Sequence, residues 1–154
     1  MKTKTIGLTL SLFLAISALC LASPMMGTWK LNEAKSKMAP GAQKNMTVVY
    51  TEAAGGMIKI TTSGVDKDGK PSKSEWTGKF DGKEYPVTSD STVDMRSYKQ
   101  VDPSTLDLIN KKSGKVIMTG RIVVSADGKT RTVTTTSSDS AGKQTETTLL
   151  YDKQ

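Results

Sequence analysis

Few residues in this chain are equipped for covalent or acid–base chemistry. Among 154 residues there is no histidine and a single cysteine, Cys20. That removes imidazole acid–base catalysis, a Ser-His-Asp triad, a Cys-His pair, an imidazole–zinc site and any internal disulfide. Carboxylates remain, and Asp94, Asp107 and Glu146 are the best available for an acid–base pair. The acidic residues fall mostly in turns or on faces expected to be wet, with no apolar setting that would raise a pKa. No catalytic residue is therefore assigned, and the chain reads as a non-enzyme.

Metal and nucleic-acid chemistry fare no better. Asp66-Lys67-Asp68-Gly69-Lys70 has the look of a calcium-loop start, but the twelfth position from Asp66 is Thr77, where such a loop needs glutamate. A hairpin turn is the reading adopted, and neither metal nor cofactor is expected. The formal charge is +7, yet the lysines are scattered through turns. Lys111-Lys112 is the one adjacent basic pair beyond the N-terminal segment. A nucleic-acid surface needs a concentrated basic face, so no such partner is expected. Weak contact with anionic envelope surfaces is the most this charge suggests.

Noncovalent binding is left. Tyr50, Ile60, Trp76, Phe80 and Met118 would supply apolar walls for a small molecule, with Thr134 or Tyr151 as polar anchors. Met46 and Met95 are adaptable liners of the same kind. Each would serve equally as plain core. Trp29 is read as a structural plug, strengthened if Arg131 or Arg121 stacks over it.

The scaffold that carries these side chains is read as exported. Lys2 and Lys4 precede an apolar run from Ile6 to Leu21, and Cys20-Leu21-Ala22 places small residues three and one before a cut at Ser23. Residues 1–22 are read as a secretory signal peptide and residues 23–154 as one domain. The run is short for a membrane span. Lipid attachment at Cys20 is the alternative, but bulky Leu19 stands where a small residue is wanted. Cleavage leaves an exported chain without cysteine, held by packing and hydrogen bonds alone.

Turns punctuate the rest. Asp68-Gly69-Lys70, Asp81-Gly82-Lys83, Ser113-Gly114-Lys115, Asp127-Gly128-Lys129 and Ala141-Gly142-Lys143 recur between runs rich in Val, Ile, Thr and Tyr. Period-two alternation places Val48 with Tyr50, Ile58 with Ile60, Trp76 with Phe80, and Leu106 with Leu108. Val116, Met118, Ile122 and Val124 are expected to share one inner face. Two later strands, around Thr130–Thr136 and Gln144–Leu149, are polar on both sides. Either they line a partly wetted cavity or they face solvent around a modest core. The segment from Asn32 to Asn45 reads as a short helical turn and a loop over one end. The fold expected is all-β, a single antiparallel meander barrel of about 8–10 strands whose closure removes free edges.

Gly27-Thr28-Trp29-Lys30-Leu31 resembles the opening strand of the calycin superfamily, the lipocalins and fatty-acid-binding proteins, which carry Gly-x-Trp near their start. Thr147-Thr148-Leu149-Leu150-Tyr151-Asp152-Lys153 is similar to the last strand of fatty-acid-binding proteins. The resemblance implies a barrel with Trp29 across its closed end, in an exported bacterial member of the superfamily. Tyr151 and Asp152 match the family pattern, whereas its carboxylate-binding arginine falls on Leu149. The function expected is binding or carriage of a small, mostly apolar ligand in the periplasm or outside the cell, without stable membrane insertion. The alternative is a structural or protein-interaction domain of the envelope with a filled interior.

Overall fold

The computed structural model describes residues 23–38, 42–138 and 142–154. The expected signal peptide and Cys20 lie outside these residues. Ten strands follow one another: β1 Gly27–Leu31, β2 Lys44–Ala53, β3 Met57–Val65, β4 Pro71–Gly78 and β5 Asp81–Thr88, then β6 Met95–Asp102, β7 Thr105–Lys112, β8 Lys115–Val124, β9 Thr130–Ser138 and β10 Gln144–Lys153. Each pairs antiparallel with the next, and β10 returns to β1 to close the barrel. Trp29 thus faces Val48 on one side and Lys153 on the other. The sheet is left without a free edge.

Local chemistry sets the turns. Between β3 and β4, Asp66 Oδ1 accepts from the amides of Asp68 and Lys70 at 2.9 Å, and Gly69 takes φ +76°. An L side chain there would be strained. Asp81-Gly82-Lys83, expected as a hairpin loop, instead opens β5. The β4–β5 reversal falls at Lys79-Phe80, and a register shift separates Asp81 from Glu84 against β6. Gly82, at φ +80°, provides the bulge.

A second bulge changes one inner face. Asn110 pairs with Met118 but Lys111 pairs with Val116, a shift that turns Val116 outward to 51% exposure. Ile117 packs toward the core in its place, while Met118, Ile122 and Val124 keep the expected orientation.

The connection between β1 and β2 begins with a single 3₁₀ turn, Glu33–Lys35, capped by Asn32 Oδ1 accepting from the Lys35 amide. Lys37 then bridges to Thr148 on β10. Pro40 and Gly41 lie outside the described residues.

The core concentrates toward one end. Trp29 is fully buried with Met25, whose carbonyl accepts the indole N–H at 2.9 Å. Trp76 stacks on Phe80 and meets Tyr85 and Tyr98 edge-on, at centroid distances of 6.4, 5.7 and 4.9 Å. Such pairs contribute about 0.5–1.5 kcal/mol each beyond their buried area. Gly78 makes this possible, because a Cβ there would stand 2.5 Å from Tyr85 Cγ and 2.6 Å from Trp76 Cζ2.

Candidate functional site

Above this packed end the barrel holds a cavity of about 360 Å³. Small-molecule sites run to about 300–1,000 Å³. The rim is built by Ala42, Gln43 and Asn45 beside the β1–β2 loop and by Asp90, Thr92 and Val93 between β5 and β6. The loop segment expected to cover an end thus reaches the mouth.

The walls carry paired polar groups. Thr62 and Ser74, adjacent on β3 and β4, join hydroxyls at 2.7 Å. On β6, Arg96 donates Nε–H to Asn110 Oδ1 of β7 at 2.7 Å, and the Asn110 amide nitrogen lies 3.6 Å from Met118 Sδ. Each pair settles polar atoms that would be costly to bury alone.

Toward the packed end stands Arg131, 2% exposed. It sits opposite Tyr151 in the β9–β10 register. Its guanidinium carbon is 5.1 Å from the Trp29 ring, 5.1 Å from Tyr50 and 4.5 Å from Tyr151. Nε and Nη1 have no hydrogen-bond partner among the described residues. Tyr151 Oη donates to the Asn45 carbonyl at 3.0 Å. Burial pushes the Tyr98 and Tyr151 phenols up to about 12, with the arginines pulling the other way.

The binding candidates divide. Tyr50, Met118 and Tyr151 line the cavity. Ile60 and Trp76 are buried in the packed end, Phe80 is half-buried against them, and none of the three reaches the cavity. Thr134 lies across from Arg121 along a shallow outer groove, while its neighbours Val133 and Thr135 point inward. Met46 and Met95 are not among the lining residues.

The carboxylates stay apart. Asp94 pairs with Lys112 at 2.7 Å and accepts from the Ser113 amide, and Asp107 takes Arg121 at 2.7 Å. These donors hold both carboxyls below the ordinary value. Glu146 is exposed. Among the described residues, Asp90 is the one acid on the cavity lining.

Sequence reasoning offered Arg131 or Arg121 over Trp29, and the structure selects Arg131; it missed Arg131, Arg96 and Asn110 as cavity residues. A signal existed. Arg131 shares parity with Val133, the sole apolar residue of its strand, and Arg96 shares parity with Tyr98. Leu149, where the family resemblance would put an arginine, also lines the cavity. The guanidiniums come instead from β6 and β9.

No protein-family model and no curated protein matches the chain. Among solved structures, the chain is similar to EF1p2_mFAP2b bound to DFHBI, at 12% identity over 85% of this chain and 94% of that one, with a TM-score of 0.47. A redesigned beta barrel is similar at 13% identity, covering 86% and 93% of the two chains, with a TM-score of 0.44.

Proposed function

We propose that this barrel binds a small organic molecule noncovalently in its cavity, as an exported protein of the periplasm or cell exterior. The observation that carries the reading is the unfilled interior of about 360 Å³, lined by both aromatic and hydrogen-bonding side chains. The mixed lining moves the expected ligand from mostly apolar toward amphiphilic: Val48, Leu108 and Ile122 offer dispersion contacts, while Thr62, Ser74 and Asn110 offer directed polar ones. A purely structural domain would gain stability by closing such a space.

The outer wall favours an aqueous setting. It carries ion pairs between Lys59 and Glu75 at 2.8 Å and between Arg121 and Asp107 at 2.7 Å. A lipid-facing barrel presents an apolar band there. No helix among the described residues is long and apolar enough to cross a membrane. Export rests on the character of residues 1–22.

Native mass spectrometry of protein purified from its own organism, without solvent extraction, tests the reading. A retained mass that organic solvent removes is the expected result. A bare polypeptide mass in repeated fresh preparations contradicts it.

A further inference from the structure

We propose that the cavity selects small organic anions, drawing a carboxylate or sulfonate group to the guanidiniums of Arg96 and Arg131. This deepens the binding reading above and rests on it. Both arginines are at least nine-tenths buried and both line the same cavity. Two guanidiniums thus place positive charge on the cavity wall.

Among the described residues no carboxylate pairs with either charge. Arg96 is held through Nε by Asn110, a neutral amide, at 2.7 Å. Arg131 is caged by three aromatic rings, and its Nε and Nη1 are without hydrogen-bond partners among the described residues. Ring faces attract a cation but accept no directed hydrogen bond comparable to an oxyanion's. Asp90 does not serve: it stands at the rim, and its Oδ1 already accepts from the Thr92 amide at 2.9 Å and hydroxyl at 2.6 Å. Both arginines act on the phenol of Tyr98, so their fields overlap inside the barrel.

Buried cations left without an anion are costly, and a ligand that brings one removes that cost on binding. A long alkyl chain would offer no hydrogen bond to the inward Thr135, nor any to the capacity that the mutually paired Thr62 and Ser74 hydroxyls leave open. The occupant these walls suit is compact and ring-bearing. Its flat surface meets Tyr50, Tyr98 and Tyr151, and its acid group meets the guanidiniums.

The test uses two dyes of one ring system, anilinonaphthalene sulfonate and phenylnaphthylamine, which differ by the sulfonate. Fluorescence titration of the full exported chain should give at least about tenfold tighter binding of the sulfonate. Arg96→Gln should abolish that preference and leave the neutral dye within about twofold. Asn110→Asp sets a carboxylate beside Arg96 without changing shape and should do the same, which covers a failure of the first variant to fold. Arg121→Gln, on the outer wall, should change neither dye. Equal binding of the two dyes, or a preference that survives both cavity variants, overturns the anion proposal alone. Binding of neither dye overturns the cavity-binding reading itself.

Discussion

Arg131 is the residue on which the interior turns. Three rings surround its guanidinium at 4.5–5.1 Å, a geometry that a flat, delocalised cation fills and a compact ammonium does not. Arg131→Lys should therefore destabilise the barrel by about 1–2 kcal/mol although the charge is kept, read from the urea midpoint. An unchanged midpoint would mean that the rings merely happen to lie nearby. The neighbouring phenols make a second prediction. Tyr98 and Tyr151 have folded values pushed up to about 12 by burial, against an ordinary 10.0. Below the ordinary value both states hold the proton, so nothing changes with pH. Above it the unfolded chain releases protons that the folded one retains, and stability falls as pH rises from about 10 toward 12. The loss has an upper bound on the order of 2–3 kcal/mol per phenol. Absorbance titration should find both phenols still protonated near about pH 11, and a stability flat through this range would contradict their burial.

Among the elements, the β2–β3 pair carries the sharpest constraint. The register slips between Lys44 and Thr47, bringing the Lys44 carbonyl to where a Cβ on Gly64 would stand, at 1.8 Å. Gly64 is needed there for space, since its φ is ordinary. Gly64→Ala should lower stability by about 1–3 kcal/mol, because the obstructing atom is backbone and cannot rotate away. It should also disturb the cavity rim, where the Asn45 carbonyl accepts from Tyr151. A melting temperature equal to wild type would refute the close approach. β5 is built differently, with a bulge at Gly82 and Pro86, which has no amide to donate. Its register with β4 accordingly reaches only Glu75–Thr88 and Trp76–Val87.

For the molecule as a whole, much was legible in the residues. Turn glycines and period-two runs specify an all-β meander, and Trp29, read as a structural plug, is buried in its packed end. The inner wall was harder to read, for a physical reason. Thr130 to Thr136 carries β-branched polar residues on both faces, so hydrophobic contrast does not set its parity, and Thr134 was taken for an anchor although Val133 and Thr135 point inward. Ile60, Trp76 and Phe80 have the composition of a pocket wall, but a barrel packs large aromatics first against one another, and theirs is the filled end. Bulges at Gly82 and Ile117 depend on partner strands that a local pattern does not contain. The central claim, that the remaining space receives a ligand, is tested most directly by filling it. Val133 is 9% exposed and faces the cavity, so Val133→Phe adds a ring to that space without touching the outer wall. The account predicts that this variant melts at or above the wild-type temperature and no longer binds anilinonaphthalene sulfonate. Full dye binding by a folded Val133→Phe protein would place the dye outside the barrel and contradict the claim.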